Sequence, residues 1–303
     1  MVDYSSWLKD VDDDTYLSKL AIPGTHDAAA YHSLAPPSVQ CQGEDISEQL
    51  KNGVRFLDVR LSKNFLTLSS DEKDKDDLIC CHGNFPVKLT GAVKFTEELE
   101  NIYKFLEDHN SETVILSIKQ EGNGKWDNEH DEFPTVFGKN YLDGHEDKWF
   151  LKDEIPQLKD ARGKIVLFRR FGVNNSDNQG KFGIAANSWT YNTTYDDRGK
   201  FAVQDFCEFK SEDDIPKKAD YVKDLLKKAT DYNNTNSDPK LFVNFCSASN
   251  FFDFDTWPHA VAEGLQKANI GEDYKKGCGI VVLDYVNKDD WKSIHNLIDK
   301  NFN

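Results

Sequence analysis

The chain has 303 residues, 38% of them hydrophobic and 12% aromatic, enough for a large core spread over two average domains or one α/β barrel. A formal net charge of −16 argues against nonspecific binding to nucleic acid and against charge-driven attachment to anionic lipid, since both need basic surfaces. No run of about 18 uncharged apolar residues occurs, so no transmembrane helix is expected.

The first seven residues, MVDYSSW, show no basic stretch followed by an apolar one, so no secretory leader is visible. The expected location is cytoplasmic or peripheral at a membrane, with secretion left open. Short apolar runs then recur along the chain, at 20–22, 56–61, 78–81, 114–118, 165–168, 201–206, 241–245 and 280–285. Rich in Val, Ile, Leu and Phe, they predict eight parallel strands buried on both faces. Helical spacing fills the gaps. Phe95, Leu99, Ile102 and Leu106 share one face, and Tyr221, Leu225 and Leu226 mark a second helix. Val261, Leu265 and Ala268 mark a third, and Trp291, Ile294, Leu297 and Ile298 close the chain. Eight such units predict a single distorted (β/α)₈ barrel over 1–303, with a doubly wound open sheet as the alternative.

Two segments break the pattern. Residues 71–77 (DEKDKDD) read as a solvated turn, and residues 122–152, acidic and Gly-containing, as a surface insertion. The six cysteines, Cys41, Cys80, Cys81, Cys207, Cys246 and Cys278, form no C-x-x-C pair and no zinc-like spacing. They are expected as small buried hydrophobes in a reducing compartment.

Polar residues gather where the strands end. His26 and Asp27 follow the first, Asp58 and Arg60 lie on the second, and His82 ends the third. Lys119 ends the fourth, Arg170 the fifth, Asp205 lies on the sixth and Asp284 near the end of the eighth. Singly each is weak, since a histidine after a strand is more often structural, and an Asp-x-Arg on a strand is a plain ion pair as often as a site. As a set they would meet at the C-terminal mouth of a barrel, where such folds place their sites. Two histidines can divide base and acid duty in phosphoryl transfer, an arginine can hold a phosphate oxygen, and carboxylates beside the histidines can fix their tautomers.

These residues lie in IPGTHD (22–27), RFLDVR (55–60), CHG (81–83), SETVILSIK (111–119), GKIVLFRR (163–170), VQD (203–205) and VLDY (282–285). Through this ordered series the chain resembles the bacterial-type phosphatidylinositol-specific phospholipase C family over nearly its whole length. The resemblance implies a lyase that releases diacylglycerol from phosphatidylinositol and forms inositol 1,2-cyclic phosphate, the choice between the free lipid and a glycosylated lipid anchor being left open by the sequence. It implies His26 as general base on the inositol 2-hydroxyl, oriented by Asp284, and His82, paired with Asp27, as general acid. Arg60, held by Asp58, would bind the phosphate; Lys119, Arg170 and Asp205 would bind inositol hydroxyls.

Calcium-dependent relatives carry Asn after the first catalytic histidine and metal-binding acids on the second strand. Asp27 and Arg60 stand at those places here, so no metal or other cofactor is expected. One departure concerns the headgroup. The family places a Tyr against the inositol ring two residues after the Asp matched by Asp205, and here that position is Cys207. Two rivals remain: a metal-dependent barrel phosphodiesterase, and a non-catalytic inositol-lipid binding module on the same fold.

After the seventh strand, SASNFFDFDTWP (247–258) carries four aromatics. Either they pack under the barrel rim, or Phe251, Phe252 and Trp257 face outward as an apolar contact with lipid. The expected partner is thus an inositol phospholipid at a membrane surface, met by a monomer.

Overall fold

In the computed structural model, which describes residues 2–66, 70, 76–122 and 125–303, the apolar runs form the strands of one curled sheet. They are β1 (Ala21–Thr25), β2 (Phe56–Ser62), β3 (Ile79–His82), β4 (Phe85–Pro86), β5 (Val114–Gln120) and β6 (Trp149–Phe150). The remainder are β7 (Ile165–Arg170), β8 (Ile184–Ala185), β9 (Asp196–Asp197), β10 (Phe201–Gln204), β11 (Leu241–Phe245) and β12 (Gly279–Leu283). The hydrogen-bonded order is β6-β7-β5-β2-β1-β12-β11-β10-β9, parallel from β6 to β10. This is the expected barrel, distorted because β7 and β10 do not pair. Instead, Phe168 of β7 and Phe201 of β10 meet edge to face, 5.7 Å between centroids.

Helices α1 (Ile46–Lys51), α2 (Phe95–Asp108), α3 (Glu132–Phe137), α4 (Leu158–Ala161), α5 (Asp214–Thr235), α6 (Pro258–Lys267) and α7 (Lys292–Asp299) accompany the strands. In α2 the buried residues Phe95, Leu99, Ile102, Phe105 and Leu106 trace one face, as the spacing predicts. Each such side chain contributes on the order of 1.5–3 kcal/mol when removed from water. Val222, Leu225, Leu226 and Ala229 bury the matching face of α5.

Two expectations are corrected. The run 78–81 is not a parallel barrel strand: β3 pairs antiparallel with β2, Leu61 opposite Cys80, and turns back into β4 as a hairpin arm. Apolar composition marks a buried strand but carries no direction. The segment 122–152 is not a surface insertion either. Phe133, Phe137, Tyr141, Leu142, Trp149 and Phe150 are buried in the main core, and β6 supplies a parallel strand. Most of its charges are exposed, Asp131 being the buried exception, and the average composition hid the aromatic anchors between them. Of the charge run 71–77, residues 71–75 lie outside the described residues.

Cys41, Cys80, Cys81, Cys246 and Cys278 are buried as expected, and Cys207 is half-buried. No helix among the described residues is long and apolar enough to cross a membrane.

Candidate active site

Strand register builds the site. Arg60 of β2 pairs with Lys119 of β5, which pairs with Arg170 of β7, so three cations form one row across three neighbouring strands. Like charges in such a row repel. Period-two alternation supplies the remedy by placing Asp58 on the same face as Arg60, and Glu121 on the same face as Lys119. Asp58 accepts from Arg60 Nη2 and from Arg170 Nη1, both at 3.2 Å. Glu121 lies 3.4 Å from both Arg60 Nη1 and Lys119 Nζ. Burial would push the carboxyl of Asp58 up, but Arg60 and Arg170 hold it well below the usual carboxylate range. Glu121 is likewise held low against its burial by Arg60 and Lys119. For Arg60, burial is outweighed by Glu121 and Asp58, so its charge is secure.

The turn after β1 places the other half. Gly24 lets β1 run close to β2, since a Cβ there would stand 3.0 Å from the ring of Phe56. Past the strand, Asp27 adopts φ 39°, a left-handed conformation that L-residues avoid by roughly 1–2 kcal/mol. Its N–H reaches Asp58 Oδ2 at 3.3 Å, while its carboxylate accepts from His82 Nδ1 at 2.7 Å. Strain held by such contacts is common where side chains must be aimed. His26 Nδ1 donates to Asp284 Oδ1 at 2.8 Å. Burial disfavours the imidazolium of His26, but Asp284, aided by Asp58, outweighs both burial and Arg60 and leaves its pKa raised. Both histidines thus give Nδ1 to a buried carboxylate. Their ring centroids are 5.9 Å apart with planes at 83°.

His26, Arg60, His82, Lys119, Arg170 and Asp205 all line one cavity of about 700 Å³. Asp27, Asp58 and Asp284 stand behind them, so the whole expected set converges. Four contributors escaped the sequence. Glu121 sits two residues past Lys119, and the strand period would have found it. Trp189 donates Nε1 to Asp205 Oδ2 at 3.0 Å, and its ring lies 4.0 Å from the Arg170 guanidinium carbon. Tyr191 lines the cavity and bonds Glu208 at 3.0 Å. Both come from an irregular loop without a motif. Cys41 lies 3.5 Å from His82 Nδ1, and nothing in its local sequence announces that contact. Cys207 lines the cavity, whereas Phe206 turns away to pack on Phe209 and Tyr221.

Among the described residues, His26, Cys41 and His82 form the one group that could hold a metal ion, with ligand atoms within 4.8 Å of one another. This soft nitrogen and sulfur set does not suit calcium, which takes six to eight oxygens. Of the nearby carboxylates, Asp27 and Asp284 are each paired with a histidine and Asp58 with two guanidinium groups.

At the mouth, Phe252 is 93% exposed, and Phe251 and Phe254 are exposed beside it. Phe85, at the tip of the β3–β4 hairpin, stacks on Phe251 with centroids 5.8 Å apart and planes 6° apart. Trp257 is less exposed than these: half-buried, it donates Nε1 to Phe251 O at 3.1 Å within the same loop.

Residues 22–171 match the family profile "Phosphatidylinositol-specific phospholipase C, X domain". A 1-phosphatidylinositol phosphodiesterase of Listeria monocytogenes is 27% identical over 97% of this chain and 84% of its own length. One of Staphylococcus aureus is 27% identical over 80% of this chain and 75% of its own. Among solved structures, the phosphatidylinositol-specific phospholipase C of Listeria monocytogenes superposes with TM-score 0.72 at 25% identity, covering 99% of both chains. That of Staphylococcus aureus, from work on modulating its membrane binding, reaches 0.75 at 25% identity over 99% of this chain and 98% of the other. The chain belongs to the phosphatidylinositol-specific phospholipase C X-domain family.

Proposed function

We propose that the chain acts as a single catalytic barrel, a metal-independent phosphatidylinositol-specific phospholipase C working as a monomer at a membrane surface. His26 takes the proton of the inositol 2-hydroxyl at Nε2, because Nδ1 is committed to Asp284. The freed oxygen bonds to phosphorus, the bond from phosphorus to the glycerol oxygen breaks, and that oxygen receives a proton from His82. Asp27 holds His82 in the tautomer and orientation this needs. The products are diacylglycerol and a cyclic inositol phosphate, with the two histidines left in exchanged protonation states. Because the nucleophile belongs to the substrate, its attack is intramolecular and needs no captured water. Arg60 holds the phosphate oxygens, fixed by Asp58 and Glu121, and strengthens its hold as charge develops on them. Lys119, Arg170 and Asp205 bind the remaining inositol hydroxyls.

The observation that carries this reading is the pair of histidines. Each is fixed through Nδ1 by its own carboxylate, and each opens with Arg60 on the same cavity. The test offers vesicles of phosphatidylinositol or of phosphatidylcholine and measures diacylglycerol. Release from the first alone is expected. Release from neither, or equal release from both, would overturn the assignment.

A further inference from the structure

Lys218 of α5 is fully buried, the only buried lysine among the described residues, and takes no part in the chemistry above. A buried ammonium is costly unless its protons are bonded. This one donates not to a carboxylate but to Gln204 Oε1 at 2.9 Å and to Phe206 O at 2.7 Å. Gln204 and Phe206 are the two residues on either side of Asp205. Gln204 is itself pinned, donating Nε2 to Asn244 Oδ1 and Phe245 O at 2.8 Å, while Asn244 Nδ2 bonds Val222 O of α5, also at 2.8 Å. Phe206 N–H returns to Gln204 Oε1 at 2.8 Å. Asp205 therefore projects from a short turn fastened from beneath at both ends, with its own N–H on Thr193 O at 2.9 Å.

We propose that Lys218 is a positioning residue for headgroup binding, its ammonium clamping the turn that aims Asp205 into the cavity. This rests on Asp205 contacting the inositol ring, as proposed above.

The clamp should respond to pH. The charged and titratable groups facing Lys218 are Asp205 and Cys207 beyond β10, Cys246 beyond β11 and Asp284 beyond β12. Burial lowers its pKa to about 8, against the opposing pull of Asp205 and the others. A lysine with a depressed pKa keeps its charge below that value and loses it above. The charge-assisted bonds to Gln204 and Phe206 are thus intact at neutral pH and weaken as pH passes about 8.

The test measures kcat and KM on a soluble nitrophenyl phosphodiester of myo-inositol for wild type, Lys218→Met, Asp205→Asn and the double variant. Lys218→Met should raise KM about tenfold, with kcat falling much less, since a bond to a charged group is being removed. The double variant should be no worse than the worse single one, because both remove the same contact. Wild-type KM should rise above pH 8, and in Lys218→Met that rise should be absent. An unchanged KM in Lys218→Met, or multiplied effects in the double variant, would overturn the proposal. If Lys218→Met fails to fold, wild type decides alone: a KM flat across roughly pH 7 to 9 overturns it. No turnover by wild type would instead reject the assigned reaction.

Discussion

His26 and His82 stand almost at right angles across the cavity, 5.9 Å between ring centroids, close enough to flank a single phosphate. Their division of labour can be separated experimentally. His26→Ala and His82→Ala should each lower turnover of phosphatidylinositol on the order of 10³-fold, since each removes a whole proton transfer. A nitrophenyl leaving group needs no proton. With that substrate His82→Ala should recover most of its loss, and His26→Ala should recover none. Equal recovery by both variants would reject the assignment of base and acid.

The acid limb of the pH profile reports His26. A base must be unprotonated, so activity falls as pH drops through its pKa, which is raised above 6.5. The acid limb of kcat/KM, a property of the free enzyme, should therefore lie above pH 6.5. In Asp284→Asn the carboxylate that offsets burial is gone, and the limb should move to lower pH. A limb that stays in place would show that another group titrates there.

Asp58 is wholly buried between two guanidinium groups. Asp58→Ala should destabilise the fold by about 3–5 kcal/mol in denaturant unfolding, because Arg60 and Arg170 lose their shared counter-charge. Arg60→Lys should keep the fold yet lower turnover sharply, since lysine lacks the planar fork that can meet two oxygens at once. Turnover retained in Arg60→Lys would remove the phosphate clamp from the mechanism.

The aromatic rim should carry the membrane contact. Phe251→Ser/Phe252→Ser should lose binding to lipid vesicles while keeping turnover of the soluble phosphodiester, and Phe85→Ser should weaken binding through the lost stacking partner. Raising salt should not release wild type, because a chain of net charge −16 gains little from anionic lipid. Unchanged vesicle binding in Phe251→Ser/Phe252→Ser would reject these residues as the anchor. Loss of both activities would make them structural.

Much of the site was legible in the sequence because each residue was tied to the end of an apolar run. His26, Arg60, Lys119 and Arg170 come from four different strands, and barrel geometry alone brings their ends to one mouth. Glu121 is legible only through its two-residue spacing from Lys119, which puts both on one face of the strand. Other features lay beyond sequence reading. The direction of β3 depends on which neighbour it pairs with, and an apolar run is the same read either way. Trp257 and Phe254 sit three residues apart in one loop, yet the first is half-buried and the second exposed. Trp257 bonds back to Phe251 O within the loop, a contact that hydropathy does not report. Lys218 lies in a charged stretch of α5, and nothing in that stretch marks it as buried; its bonding partners lie at and beyond the end of β10.

Phosphorus NMR of phosphatidylinositol turnover in the presence of a metal chelator tests the central claim most directly. The expected result is undiminished turnover, with a cyclic inositol phosphate as the first new resonance. Turnover abolished by chelator and restored by calcium or magnesium would contradict it, as would an acyclic inositol phosphate formed first.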